Sequence, residues 1–188
     1  MPFIDFMTEN LDILELKADQ DYRLAKLGQG SVYFQPLGKD ADAAMEASWR
    51  TMICGAKESS EEVHVKGRTL KVDRTARGAA RFTFGALCER ALGAADYLAL
   101  TRRYNTIYLD HIPKMGPESR NEAKRFVTLI DTIYDSRTKL VCSADAEPDD
   151  LYPRGDGAFE FERTASRLME MRTNDYLAAA HETPERKD

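Results

Sequence analysis

The clearest hydrophobic pattern in the chain runs from 105 to 171. Two short apolar, β-prone runs, 106–109 and 139–142, bracket the segment 117–135, in which Phe126, Val127, Ile130, Ile133 and Tyr134 recur at helical intervals. A strand, a crossover helix of this length and a second strand form a βαβ unit, whose two strands run parallel in a buried sheet. Upstream, 61–65 and 68–72 alternate polar and apolar residues around Lys66 and Gly67, a two-residue hairpin signal, and 81–84 adds a third strand. Helical spacing recurs at 1–10 (Phe3, Phe6, Met7), 40–56 (Met45, Trp49, Met52, Ile53), 84–89, 94–104 and 163–171, the last with Ala165, Leu168 and Met169 directed inwards. Residues 11–16 read as a strand. The expected fold is therefore α/β: a short parallel sheet with flanking helices, built on the βαβ unit at 106–142, plus a small antiparallel hairpin region. Within one domain, 1–176, the pattern separates a helical and linking segment (1–60), the hairpin region (61–84) and the α/β unit (85–176). Residues 177–188 are expected to form a polar, disordered tail.

Composition narrows the function. A net charge of -5 does not advertise a general nucleic-acid surface, and no specific nucleic acid is expected. No apolar run approaches the roughly 20 residues that span a bilayer, and the amino terminus lacks the basic flank of a secretory signal, so a cytoplasmic location is expected. Cys54, Cys88 and Cys142 are odd in number and far apart, as buried reduced thiols are. His64, His111 and His181 show no ligand spacing, so no metal site is expected. One local exception is a basic ribbon, Arg68, Lys71, Arg74, Arg77 and Arg81, interrupted by a single acid, Asp73. It is either a solvated strand face or a surface for phosphate or an acidic partner.

Residues able to do chemistry cluster at the strand ends. Polar residues at the carboxyl ends of parallel strands face the crevice where open α/β sheets bind ligands, and the two runs end on Asp110 and Ser143. Residues 107–110 have the form of a Walker B strand, four positions that bring an acid to the rim to hold magnesium or orient a water. An acid there also serves as a turn former, and His111 stands where a catalytic Glu follows in the usual pair. Ser143 is either a sensor-like polar residue or a capping hydroxyl. Arg163 and Arg167 set two cations on one helix face, which repel unless an anion or carboxylate lies between them. Glu170, Asp149 or Asp150 would serve as that partner; the alternative is a phosphate sensor or arginine finger. No G-x-x-x-x-G-K-[ST] occurs, Gly28-Gln29-Gly30-Ser31 being a turn before a strand, and no nucleophilic triad is legible.

Several of these stretches, in order, resemble one family. Leu87-Cys88-Glu89-Arg90, Gly93 to Tyr97, Leu109-Asp110-His111-Ile112-Pro113, Arg125 to Asp131 with Tyr134 and Asp135, and Phe161 to Met171 are similar to the carboxyl-terminal part of the ZapE-type, AAA-related P-loop ATPases of bacteria, associated with cell division, whose mitochondrial counterparts are implicated in protein quality control. The resemblance implies that the phosphate-binding loop lies upstream, in an ATPase core that is the first partner of this chain. It implies no cofactor in the chain itself, with ATP and magnesium used by the intact family protein, and a chain that does not hydrolyse ATP alone. Arg163 and Arg167, in an intact Arg-Thr-x-Ser-Arg-Leu motif, become the candidate finger or sensor, with Asp110 and Ser143 weaker nucleotide candidates. A division-protein or membrane-associated protein partner and an oligomer in the intact protein follow from the same resemblance. The competing expectation is a stand-alone interaction module that binds its partner through the ribbon at 68–81.

Overall fold

A computed structural model describes residues 30–65 and 67–182. Elements follow in the order β1 (Tyr33–Phe34), α1 (Lys39–Ile53), β2 (Ser59–Val65), β3 (Arg68–Ala76), β4 (Ala79–Thr83), a π turn (Gly85–Glu89), α2 (Ala94–Arg103), β5 (Thr106–Ile112), α3 (Arg120–Asp135), β6 (Lys139–Ala144), α4 (Ala158–Met171) and α5 (Asn174–Ala178). They build one six-stranded mixed sheet in the order β1-β6-β5-β4-β3-β2. From β4 through β5 and β6 to β1 the strands are parallel, and β2 and β3 continue the sheet antiparallel.

Period-two alternation distributes the core between two layers. Ala80 and Phe82, Ile107 and Leu109, and Leu140 and Cys142 face the large front core, shared with Tyr97 and Leu100 of α2 and with Phe126, Ile130 and Ile133 of α3. Ala79, Tyr108 and Val141 face a smaller back core under Met45, Trp49 and Met52 of α1, where Trp49 meets Tyr108 edge-on at 5.1 Å. Helix α4 packs on α3 and inserts Phe161, stacked at 5.9 Å on Phe126. Coverage on both faces explains why β5 and β6 read as continuous apolar runs.

Five expectations change. The hairpin region is not an attachment: β4 pairs in parallel with β5 from Ala79↔Thr106 to Thr83↔Asp110, with α2 as a second crossover, so hairpin and βαβ unit are one sheet. Segment 1–60 is more than a link over its described part, because β1 joins the sheet beside β6. Helix α4 starts at Ala158, five residues early, after Gly157 at φ 88, and its inward stripe is Phe161, Thr164, Ala165, Leu168 and Met171. Met169 points out, being 47% exposed.

The polar tail does not begin at 177. Leu177 is buried in the back core, Lys139 Nζ donates to the carbonyls of Tyr176 (2.7 Å) and Ala179 (2.6 Å), and the Glu182 amide donates to Ser136 O at 3.0 Å. Burying one lysine against two carbonyls at the end of α5, where helix carbonyls run short of intrahelical partners, fastens this segment to β6. The helix expected at 1–10, the strand at 11–16 and the tail from 183 lie outside the described residues.

Candidate functional site

Two one-residue bulges shape the polar surface of the sheet. Between Glu61↔Val72 and Ser59↔Thr75, β3 advances three residues while β2 advances two. An extra residue in one strand reverses which face every later side chain meets. Leu70 and Val72 therefore face front, whereas Arg74 and Ala76 face back, beside Arg81, the cross-strand neighbour of Arg74. A second bulge lies in β5, between Leu109↔Cys142 and Ile112↔Ala144. It returns Ile112 to the front core and leaves His111 in the left-handed region at φ 63, a conformation that costs energy for a residue with a Cβ.

Around these bulges a charge network joins α1 to the sheet. Arg81 Nε and Nη2 donate to the two oxygens of Asp110 at 2.7 and 2.9 Å, and its Nη1 donates to Glu46 at 2.7 Å. Arg74 donates to both Glu46 (2.9 and 3.2 Å) and Glu58 (2.6 and 2.8 Å), and Trp49 Nε1 donates to Glu58 at 3.0 Å. Hydrogen bonding from Arg74, ahead of all other influences, holds the Glu46 carboxyl down at about 2 and lowers that of Glu58. At the rim His111 donates its amide to Ser143 Oγ at 2.9 Å, and its ring pairs with Asp42 at 2.8 Å. The structure thus brings Asp110, His111 and Ser143 together, and Ser143 acts on the bulge backbone.

The second polar cluster lies on the front layer, between α3 and α4. Arg163 Nη2 donates to Asp131 Oδ2 at 2.6 Å, and Arg167 Nη1 donates to the other oxygen of the same carboxylate. Arg167 also reaches Asp135 at 3.4 Å and lies 4.6 Å over the Tyr134 ring. Its side chain is 19% exposed, against 64% for Arg163. The partners are neither Glu170, which accepts from Tyr134 Oη at 2.8 Å, nor Asp149 or Asp150. Asp131 and Asp135 were missed because two acids on a helix read as its solvated face. Their i, i+4 spacing, equal to that of Arg163 and Arg167 on the neighbouring helix, was the available signal. A cleft of about 130 Å³, lined by Lys124 and Val127 of α3 and by Glu160 and Phe161 of α4 among others, opens beside the first turns of these two helices.

The basic ribbon does not form one surface. Arg68 faces front and pairs with buried Asp96, Lys71 pairs with Asp73 at 2.6 Å, and Arg74 and Arg81 belong to the back network. Arg77 sits with Gly78 in the turn between β3 and β4, both at positive φ (52 and 78), as a type I′ turn requires. All three cysteines are free thiols, Cys88 and Cys142 buried as expected, with burial pushing Cys142 up to about 12, but Cys54, just past the end of α1, is exposed.

A model of the AFG1-like ATPase family matches residues 1–180. The chain belongs to that family. Among relatives of the AFG1-like chain, the cell division protein ZapE of Escherichia coli is 33% identical over 181 residues, covering 96% of this chain and 48% of its own length. Lactation elevated protein 1 homolog B of Danio rerio is 28% identical over 211 residues, covering 94% and 42%. An uncharacterised Schizosaccharomyces pombe protein is 32% identical over 157 residues, covering 81% and 34%. The chain thus spans about half the length, or less, of the curated relatives it matches. No solved structure matches.

AFG1-like membership implies nucleotide use, and the rim can be tested for fit to magnesium and ATP. Both oxygens of Asp110 already accept from Arg81, and the residue is 6% exposed. Among the described residues no three His, Cys, Asp or Glu side chains are grouped to hold a metal ion, and no phosphate-binding loop occurs in the sequence. These residues do not fit the group, and no catalytic step can be routed through them. Among the described residues, too, no helix is long and apolar enough to cross a membrane.

Proposed function

We propose that this chain works as the carboxyl-terminal portion of an AFG1-like ATPase, packing on an ATPase core that supplies the phosphate-binding loop and presenting Arg163 to it. The observation that carries this reading is the pair of arginines converging on one carboxylate. Arg167 is held by Asp131, Asp135 and the Tyr134 ring, whereas exposed Arg163 has Asp131 as its acidic partner. An exposed ion pair contributes about 0–1 kcal/mol, and Asp131 keeps Arg167 if Arg163 leaves. Arg163 can therefore exchange its carboxylate for a phosphoryl oxygen at little cost to the fold, as an arginine acting on a nucleotide must. In this role the chain supports ATP hydrolysis without performing it, and serves a process of the kind named for the bacterial relative, cell division, through a division-protein or membrane-associated partner.

Phosphate release from ATP and magnesium is the direct test. The purified chain alone should show no turnover. Joined in one polypeptide to an AFG1-like ATPase core, it should lose roughly 10³-fold or more in kcat on Arg163→Gln, the range of arginine-finger losses. Steady turnover by the chain alone, or an unchanged kcat in the Arg163 variant, would overturn the proposal.

A further inference from the structure

A series of ring contacts links Arg167 to the carboxyl-terminal helix α5. Arg167 lies 4.6 Å over the ring of Tyr134, Tyr134 stacks on Tyr176 at 5.7 Å with 19° between the planes, and Lys139 Nζ lies 4.9 Å over the Tyr176 ring. A cation over a ring face and an offset pair of rings are both attractive, so each contact in the order cation, ring, ring, cation is favourable. Its four members come from four elements, α4, α3, α5 and β6.

The two rings are held unequally. Tyr176 is buried, its hydroxyl donates to the Thr138 carbonyl at 3.2 Å, and its own carbonyl accepts from Lys139 Nζ at 2.7 Å, so both ends of the residue are fixed. Tyr134 is half-buried, and its hydroxyl donates to the exposed carboxylate of Glu170 at 2.8 Å. The fixed ring of Tyr176 is thus the platform on which Tyr134 is stacked, and Tyr134 is the platform on which Arg167 rests.

Asp131 gives one oxygen to Arg163 and the other to Arg167. Arg163 can leave at little cost only while Arg167 stays on that carboxylate. With the Tyr134 ring turned away, Arg167 loses one of its three partners, Asp131 depends more on Arg163, and withdrawal of Arg163 is opposed. We propose that Tyr134 and Tyr176 are positioning residues for Arg163: stacked together, they keep Arg167 on Asp131 and so leave Arg163 free to move to a phosphoryl group. This rests on the reading of Arg163 given above and makes helix α5 part of the arginine site.

Urea unfolding of the full chain reads the series without any nucleotide. Tyr176→Leu and Arg167→Ala alter residues joined through Tyr134, and their effects on the unfolding equilibrium constant should depart from additivity by about threefold or more. In a Tyr134→Leu background the same two substitutions should be additive. Tyr134→Leu with Arg167→Ala forms a second cycle at a half-buried position, where the fold tolerates the change, and should show about fivefold coupling, the strength of a cation held over a ring. In the chain joined to an AFG1-like ATPase core, Tyr134→Leu should lower kcat about fivefold, by loss of the same contact, with the KM for ATP unchanged, and Tyr134→Phe, which keeps the ring, should recover most of the loss. Additivity in both cycles overturns the inference. An unchanged kcat in Tyr134→Leu beside a lowered one in Arg163→Gln overturns it alone, whereas no change in either variant overturns the reading of Arg163 as well.

Discussion

Arg81→Met tests whether the back-face network fastens α1 to the sheet. Methionine keeps much of the aliphatic stem while deleting the guanidinium, so packing changes little. The loss falls unequally on the two acids. Glu46 retains Arg74 and Arg50, but Asp110, 6% exposed, loses both of its hydrogen bonds. Removing one partner from a buried pair costs about 3–5 kcal/mol because a charge is left uncompensated. Asp110 stands at the strand rim where some water reaches it, so about 3 kcal/mol is expected, a large share of the roughly 5–15 kcal/mol by which domains are stable. With a urea slope of about 2 kcal/mol per molar, the unfolding midpoint should fall by about 1.5 M. Adding Asp110→Asn to Arg81→Met removes the stranded charge and should recover about 1–2 kcal/mol, whereas Asp110→Asn alone should destabilise. A midpoint shift under about 0.3 M on that slope would refute the reasoning. Failure of the second substitution to recover anything would show that the cost was lost packing.

Three further outcomes follow from the same geometry. Arg167→Ala should cost about 2 kcal/mol in urea unfolding, from two charged hydrogen bonds and the Tyr134 stack, and Arg163→Ala under about 0.5 kcal/mol; equal losses would contradict the division of roles. Glu46 is held at about 2, below its ordinary 4.5, so its stabilisation is complete above 4.5 and disappears as pH falls towards 2; Glu46→Gln should flatten stability against pH across that window, and an unchanged slope would count against the network. Burial, then the charge of Arg137, lowers Lys139 from 10.5 to about 8, so above pH 8 the unfolded chain binds more protons and stability should rise with pH. Lys139→Met should abolish that rise, measured as urea midpoints from pH 8 to about 9.5, below the ordinary tyrosine range; a persistent rise would assign it to other groups.

The fold was legible where one period governed a whole element. The βαβ unit announced itself because α3 keeps its apolar stripe for four turns and both of its strands are covered on two faces. The hairpin was equally plain from Lys66 and Gly67. Its continuity with the sheet was not, since the pairing of β4 with β5 depends on α2 returning the chain in the right-handed sense, a fact of topology and not of local pattern. Arg74 shows how little suffices to mislead. By parity it shares a face with Leu70 and Val72, and one extra residue in β3 sends it to the other side of the sheet, which turns a supposed ribbon of cations into two unrelated sets. Met169, expected inward with Ala165 and Leu168, follows Leu168 by one position and so turns about 100° out of the stripe, which instead continues three residues on at Met171.

Asp110 carries the more general argument. An acid at the end of a parallel strand is where a metal-binding carboxylate belongs, and also where an internal cation can satisfy the same two oxygens. Arg81 does so bidentately from the adjacent strand, the geometry for which guanidinium is best suited. Both oxygens of the buried Asp110 are thus satisfied with no external ion. The distinguishing residue is the neighbour across the ladder, Arg81 beside Tyr108, which lies 29 positions away in sequence and which a motif of consecutive residues cannot contain. On α4 the order is reversed: Arg163 already has a carboxylate, but it is exposed and shares that carboxylate with a better-held arginine. Asp110 and Arg163 are both paired, and they differ in what each would lose by leaving its partner: two hydrogen bonds to a buried carboxylate at Asp110, one exposed ion pair at Arg163.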